Sequence, residues 1–281
     1  MISVTTSRDL ARVMAPGGRR CVFVPTMGAL HAGHAALVQR GAAIASGRGL
    51  ADGCVVSIFV NPTQFNDASD YDKYPKTLEA DLALCERAGA AIVYAPGATD
   101  VYPEGETIAT PPLPDVATRP KLEDAHRPGH FAGVCQVVKR LFDLVRPQVA
   151  VFGEKDWQQL QVVRAMTRAL RYPIAIESHE TVREQGGLAM SSRNARLSPE
   201  DRAKALAISH ALCESWSARS PRDAEAIMRR ELEHQELEVE YAVVRDAETL
   251  LEPRRGQPMR TLIAARVGGV RLIDNVEWRG A

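Results

Sequence analysis

The sequence predicts an α/β protein, a doubly wound parallel sheet followed by a second, smaller α+β domain. Three observations carry that prediction. Short apolar runs alternate with helix-like stretches over the first two-thirds of the chain. Those runs are rich in Val, Ile or Phe, as expected of strands buried on both faces. After about Ser178 the rhythm changes to two helical stretches and then three strand-like runs, and strands segregated from helices read as α+β.

Taken in order, strands are predicted over 21–24, 55–60, 91–94, 149–152 and 174–176, several of them bounded by Gly, Pro or Asn. Helices are predicted between them over 35–45, 78–88, 134–145 and 160–170. The third is the best defined, with Val134, Val137, Val138, Leu141, Phe142 and Val145 on one face. The 103–128 stretch carries Pro111, Pro112, Pro114, Pro120 and Pro128 and is expected to run irregularly over the surface. Helices are next expected over 199–216 and 223–234, the first capped by Ser198 with Pro199 at its first position. Strands follow over 239–244, 262–267 and 270–273, the last two flanking the Gly268-Gly269 hairpin signal. The expected division is 1–180 for the larger domain and 181–281 for the smaller.

Composition narrows the function classes. The 281 residues carry 35 basic and 35 acidic side chains, a net charge of zero, whereas nucleic-acid binding draws on a cationic surplus that displaces counterions. A polybasic membrane surface is disfavoured on the same ground. The N-terminus lacks a signal pattern, and no apolar run approaches the ~20 residues of a membrane span. The expectation is therefore a soluble cytoplasmic protein bound to neither nucleic acid nor membrane. Cys21, Cys54, Cys85, Cys135 and Cys213 form no CxxC pair and are expected to be buried thiols in a reducing compartment.

Chemistry concentrates in Val24-Pro25-Thr26-Met27-Gly28-Ala29-Leu30-His31-Ala32-Gly33-His34, where a strand ends and a helix begins. Glycines let backbone approach a ligand, and a helix N-terminus offers amides to an anion. His31 and His34, three apart, bring two imidazoles to that entrance, able to donate to phosphate oxygens as charge develops. The segment is neither a Walker A loop nor GxGxxG. Zinc would need a third ligand at helical spacing, and an ordinary turn with surface histidines is the plain alternative.

His31-Ala32-Gly33-His34 resembles the HIGH signature of the nucleotidyltransferase superfamily. Four further words narrow the resemblance: Phe59-Val60-Asn61-Pro62-Thr63-Gln64-Phe65, Phe152-Gly153-Glu154-Lys155-Asp156-Trp157-Gln158-Gln159-Leu160, Met190-Ser191-Ser192-Arg193-Asn194 and Arg271-Leu272-Ile273-Asp274-Asn275. With Pro25 to His31 they resemble, in order and across nearly the whole chain, the pantothenate synthetase (pantoate–β-alanine ligase) family.

The resemblance implies a Rossmann-like nucleotide- and pantoate-binding domain with a smaller lid domain. It also implies ATP-dependent condensation of (R)-pantoate with β-alanine, giving pantothenate, AMP and diphosphate through a pantoyl-adenylate. His34, His31, Lys155 and Arg193 would be catalytic. ATP would be bound by Met27, Gly28, His31, Gly33, His34, Gly153, Lys155, Asp156, Val182 (through its backbone), Met190, Ser191, Ser192 and Arg193. Gly186-Gly187 would hinge the last of these loops so that it closes on ATP. Gln64 and Gln159 match the family's pantoate-contacting glutamines, with Gln64 also facing β-alanine and Asn61 assisting it. Pro25, Thr26, Met27 and Phe65 lie near the same loops, while Tyr74, Glu123, Arg127 and His130 match by position. Arg127 suits either the β-alanine carboxylate or a salt bridge to Glu123. Asp81 is the candidate contact for Mg2+ bridging the phosphates. A homodimer through the larger domain is implied as well.

Departures from the family pattern are Gly186 where Asp is frequent, Cys135 where Thr is common, the atypical His126 and the unmatched 103–120 stretch. None removes a phosphate- or pantoate-binding group. Another HIGH-type nucleotidyltransferase would not account for the two glutamine-bearing words. A class I aminoacyl-tRNA synthetase would need an anticodon-binding appendage, and a degenerate regulatory module would have shed its phosphate-handling side chains.

Overall fold

In a computed structural model of the chain, residues 1–15, 17, 20–64, 77–254 and 256–280 are described. Contact density divides it into two units, Met1–Gly153 with Val162–His179, and Glu154–Gln161 with Glu180–Ala281.

Among the described residues, the first unit is built on six strands: β1 (Ile2–Val4), β2 (Cys21–Thr26), β3 (Gly53–Ile58), β4 (Ile92–Tyr94), β5 (Val149–Gly153) and β6 (Ala175–His179). Their order is β1-β4-β3-β2-β5-β6 and every pairing is parallel. The winding reverses at β2, with β3, β4 and β1 on one side and β5 and β6 on the other. The carboxyl ends of β2 and β5 therefore flank the switch point at which such sheets bind ligands.

The helices of more than one turn in this part are α1 (Ser7–Val13), α2 (Ala32–Gly47), α3 (Leu78–Arg87), α4 (His130–Val145) and α5 (Trp157–Ala169), the last crossing the division after Gln161; Ala98–Val101 and Glu123–His126 are single turns. Strand alternation explains why both sheet faces are covered. Val22 and Val24 pack with Val38 and Ala45 of α2 and with Cys54, Val56, Val149 and Val151. On the opposite face Phe23 meets Phe142 of α4 edge-on at 6.3 Å, and Phe142 in turn meets Tyr172 at 5.9 Å. The apolar stripe predicted for α4 is buried, but the helix begins four residues earlier, at His130 after a left-handed Gly129. That extra turn carries one apolar residue of the stripe, Phe131, between the polar His130 and Gly133.

β1 and α1 escape the hydrophobic pattern. β1 is three residues long and gains its place by pairing with β4, while Thr6 caps α1 by accepting from the Asp9 amide. The proline-rich stretch is irregular, as expected, but not wholly superficial. Val116, Ala117 and Leu122 are buried, and the Gln136 side chain donates to the Ile108 carbonyl at 2.6 Å.

The second unit holds an antiparallel sheet of β7 (Glu238–Asp246), β8 (Met259–Val267) and β9 (Val270–Trp278), with α6 (Pro199–Glu214) and α7 (Pro221–His234). Ile208, Leu212, Met228 and Leu232 of the helices pack on Ala242, Val244, Ile263, Ala265 and Leu272 of the strands. Ser198 and Ser220 each cap a helix whose first residue is Pro, so the signal expected for α6 also governs α7. β9 runs five residues beyond its predicted end because Asp274 and Asn275 hide a continuing strand, paired with β8 through Met259↔Trp278. No described helix is long and apolar enough to cross a membrane.

All five cysteines are unpaired, four buried and Cys213 exposed, which corrects the expectation for Cys213. Burial pushes the thiols of Cys21, Cys54 and Cys135 up to about 12 and that of Cys85 up to about 11. A raised pKa keeps these groups protonated at pH 8, and the thiolate is the reactive form. A thiol reagent at pH 8 is expected to label one cysteine rapidly in the native protein and all five after unfolding. Two or more fast equivalents in the native state would contradict the packing described.

Candidate active site

Every group at the end of β2 is fastened by its neighbours. The Thr26 hydroxyl donates to the Ser57 carbonyl of β3 at 2.7 Å and accepts from the Gly28 amide at 3.4 Å. Gly28 (φ 81°) and Ala29 (φ 50°) are successive left-handed residues, a conformation that costs a non-glycine residue such as Ala29 about 1–3 kcal/mol. The curl aims two amides at one carboxylate, with Ala29 donating to Asp81 Oδ2 at 3.0 Å and Leu30 to Oδ1 at 2.8 Å. Successive amides in such a turn make an anion-binding nest, and the anion here is the protein's own. A Cβ at Gly28 would lie 3.1 Å from Asp81 Oδ2 and 3.2 Å from Ile58 Cγ2.

Asp81 itself is 2% exposed and also accepts from the Thr77 hydroxyl at 3.2 Å. These three bonds brace the loop. No group of three or more His, Cys, Asp and Glu suited to a metal occurs among the described residues.

The entrance to α2 is capped by its own histidines. His31 is the N-cap, and its Nδ1 accepts from the Gly33 amide at 3.2 Å; His34 Nδ1 accepts from the His31 amide at 3.3 Å. The rings lie 4.1 Å apart, tilted by 45°. An imidazole nitrogen that accepts carries no proton, so in the neutral ring the proton sits on Nε2. Both rings are thus held as Nε2–H donors. The expectation that helix amides wait for an anion is corrected for His31 and Gly33, whose amides the two imidazoles take.

The loop after β3 is equally constrained. Asn61 is buried: its amide donates to Thr63 Oγ1 at 2.9 Å and to the Gly133 carbonyl at 3.2 Å, and its oxygen accepts from the Tyr102 hydroxyl at 2.9 Å. Gln64 follows in a 3-10 turn (Pro62–Gln64), its carbonyl accepting from His130 Nδ1 at 3.3 Å. α4 can approach this turn because residue 133 is glycine; a Cβ there would stand 2.3 Å from the Thr63 carbonyl oxygen. Arg127 reaches Glu123 at 3.8 Å, the salt bridge that was one of its two readings. Asn61, Gln64 and His130 are therefore brought together. Phe65 and Tyr74 lie outside the described residues.

In the second unit Lys155 belongs to a 3-10 turn (Glu154–Asp156) that leads into α5, its Nζ 3.8 Å from Asp156 Oδ1. Gln159 is half-buried on the first turn of α5, beside a buried Gln158. The Val182 carbonyl accepts from the Met190 amide at 2.9 Å, closing the loop that carries Gly186-Gly187. Ser191 caps the turn Ser192–Arg196 by accepting from the Arg193 amide at 3.3 Å. Asn194, buried, donates to Glu184 Oε1 at 2.7 Å and to the Ala189 carbonyl at 3.0 Å.

Tyr102, Gly133 and Arg183 had no motif to mark them. A glycine inside an otherwise apolar helical stretch was the one available signal, since it often marks close backbone approach.

A parallel sheet with a histidine-capped helix at its switch point defines the class, a doubly wound α/β protein with its polar loops at the carboxyl edge. A sequence profile of the pantoate-beta-alanine ligase family matches residues 2–277. Pantothenate synthetase from Myxococcus xanthus is 45% identical over 286 residues, covering 99% of this chain and 95% of that protein. The Anaeromyxobacter dehalogenans pantothenate synthetase is 48% identical over 92% of this chain and 91% of its own. Among solved structures, the enzyme of Thermus thermophilus superposes with a TM-score of 0.87 at 43% identity, covering 99% of both chains. That of Francisella tularensis, complexed with beta-gamma ATP and beta-alanine, gives 0.78 at 28% identity over 99% and 97%. The chain belongs to the pantoate-beta-alanine ligase family, and it is an enzyme that ligates pantoate to β-alanine.

Asp81→Ala is expected to leave two loop amides without their acceptor and to cost about 1–3 kcal/mol of stability, measured by urea unfolding. Unchanged stability would mean that the nest does not depend on the carboxylate.

Proposed function

We propose that the ligation runs through a pantoyl-adenylate made from ATP, with His31, His34, Lys155 and Arg193 as the catalytic groups. The observation that carries this reading is the pair of histidines at the α2 entrance, both held as Nε2–H donors by backbone amides. The Francisella relative, solved with an ATP form and β-alanine, supports ATP as co-substrate.

In the first step a carboxylate oxygen of pantoate attacks the α-phosphorus. The bond from that phosphorus to the bridging oxygen breaks, and diphosphate leaves with the electron pair. In the second, the neutral amine of β-alanine attacks the acyl carbon, the acyl–oxygen bond to AMP breaks, and the nitrogen loses a proton. Both steps gather negative charge on phosphate oxygens, so fixed donors lower the barrier without reorganising. Neutral imidazoles held as donors need no protonation to act. Lys155 supplies a compact charge on a mobile stem, while Ser191, Ser192 and Arg193 are assigned to the β- and γ-phosphates.

Met27, Gly28, Gly33, Gly153, Asp156, Val182 and Met190 complete the proposed nucleotide contacts. Gln64 and Gln159 are assigned to pantoate, and Gln64 also to β-alanine, with Pro25, Thr26 and Asn61 shaping the surroundings. Glu123 and His130 are assigned to that neighbourhood too, and the ion pair to Glu123 favours a structural part for Arg127. Mg2+ bound to ATP would offset triphosphate charge, with Asp81 as its candidate contact. In domain terms we assign nucleotide and pantoate binding to 1–180 and additional phosphate contacts to 181–281. The family resemblance also supports a cytoplasmic homodimer; sedimentation at the mass of a single chain would remove the dimer.

Exchange of labelled diphosphate into ATP, with pantoate present and β-alanine absent, tests adenylate and substrate together. Exchange that depends on pantoate is expected, and its absence would exclude the adenylate route. Lys155→Ala is expected to slow exchange by roughly 10²–10³-fold, the usual effect of losing one transition-state donor. An unchanged rate removes Lys155 from the mechanism.

A further inference from the structure

The word Arg271-Leu272-Ile273-Asp274-Asn275 has no part in the chemistry above, yet it contains two buried polar residues, Asp274 and Asn275. They are neighbours on β9, so their side chains leave opposite faces of the sheet. Leu272 and Val276, which share the face of Asp274, pack against the cluster containing α6 and α7.

Asn275 is bonded to the lysine turn. Its amide donates to the Glu154 carbonyl at 3.0 Å and to the Lys155 carbonyl at 2.8 Å. Its oxygen accepts from Arg260 Nε, and Arg260 Nη2 donates to Glu154 Oε2 at 3.0 Å. The same guanidinium lies 3.4 Å over the Trp157 ring, whose indole N–H donates to the Ala247 carbonyl at 2.8 Å. The turn is thereby held through two carbonyls, one carboxylate and the indole that follows.

Asp274 is bonded to the serine loop. It accepts a two-pronged contact from Arg183, Nη1 at 2.6 Å and Nη2 at 3.0 Å, and a third bond from the backbone N–H of Asn275 at 2.7 Å. Arg183 Nη1 also donates to the Gly187 carbonyl at 2.8 Å, and Arg183 bridges Ala189 through the backbone. One side chain thus ties the base of the loop to its glycine tip, immediately before Met190-Ser191-Ser192-Arg193.

We propose that Asn275 and Asp274 are positioning residues for the ligase reaction: Asn275 sets the Lys155 turn, and Asp274 sets the Met190–Arg193 loop through Arg183. The inference rests on the adenylate reading, which gives those two words their work. One rigid dipeptide then registers both against a single strand, so that neither can move without disturbing buried hydrogen bonds.

A double-mutant cycle read by pantoate-dependent diphosphate–ATP exchange tests this. Asn275→Asp keeps size and the acceptor for Arg260 but turns an oxygen toward both carbonyls. It is expected to lower the kcat of exchange about tenfold to hundredfold, the cost of a small misplacement, with the KM for pantoate unchanged. In the Lys155→Ala background the same change is expected to cost less than about threefold, because coupled residues are not additive. Asn275→Ala, which removes the donor without adding charge, should behave alike and guards against a folding defect, checked by circular dichroism. Asp274→Asn is expected to raise the KM for ATP about tenfold, and to add little once Arg193 is Ala. Losses that multiply in full, or a wild-type rate in Asn275→Asp beside a crippled Lys155→Ala, overturn the proposal alone. Wild-type exchange in Lys155→Ala overturns it together with the mechanism.

Discussion

The site depends on β2 lying in the interior of a parallel sheet with β3 on one side and β5 on the other. β2 pairs with β3 over its whole length, but with β5 only at Val22 and Phe23. Pro25 explains the difference. The Thr26 carbonyl accepts from the Phe59 amide and so faces β3. Alternation along a parallel strand then turns the missing N–H of Pro25 toward β5, where a ladder bond cannot form. The sheet opens at that point, between two strands whose carboxyl ends flank the winding reversal. The Thr26 to Ser57 bond meanwhile keeps the β2 and β3 loops together, which is why the histidine word and the Gln64 word emerge side by side.

Beyond that opening, rigidity is obtained by having the polar loops satisfy their own backbone. A helix start leaves amides unpaired, and here two of them are taken by the histidines of the same turn. The left-handed curl at Gly28 and Ala29 leaves another two amides aimed at one place, and the buried Asp81 takes both. A loop so filled has little tendency to rearrange when a polyanion arrives. In the proposed mechanism recognition falls to side-chain donors of fixed tautomer, which suits electrostatic catalysis by groups that are already oriented.

Much of this was legible in the sequence, and the limits are physical. Buried parallel strands announce themselves as apolar runs, so the strands from β2 to β6 stood out, and α4 showed its stripe. β1 has three residues and no such run; only its partner β4 makes it a strand. The last half of β9 was hidden because Asp274 and Asn275 are polar and buried, each by virtue of a partner far away in sequence. The words around His31, Gln64, Lys155 and Ser191 stood out by their polar residues after apolar runs, and their chemistry is the proposal made above. That Asp81 binds a turn of backbone 51 and 52 residues away could not be read, because an isolated acid on a helix carries no mark of so distant a partner.

Two guanidinium groups of the second unit, Arg183 and Arg260, are matched by carboxylates. Burial pulls the pKa of Arg183 down, but the paired Asp274 carboxylate more than compensates and the net shift is upward. For Arg260 burial prevails, with Glu154 offsetting it only in part, and the net shift is downward. A buried charge left alone is costly, whereas one with a carboxylate partner and filled hydrogen bonds is tolerated. Planar, forked guanidiniums suit this holding role, and Arg183 and Arg260 each contact more than one group. Lysine has no such fork. Placing Lys155 on a turn whose carbonyls are clamped by Asn275 fixes the root of a flexible, compact charge, and in the proposed mechanism leaves its tip to follow a moving phosphate. Arg260 and Asn275 make the turn rigid so that the lysine need not be.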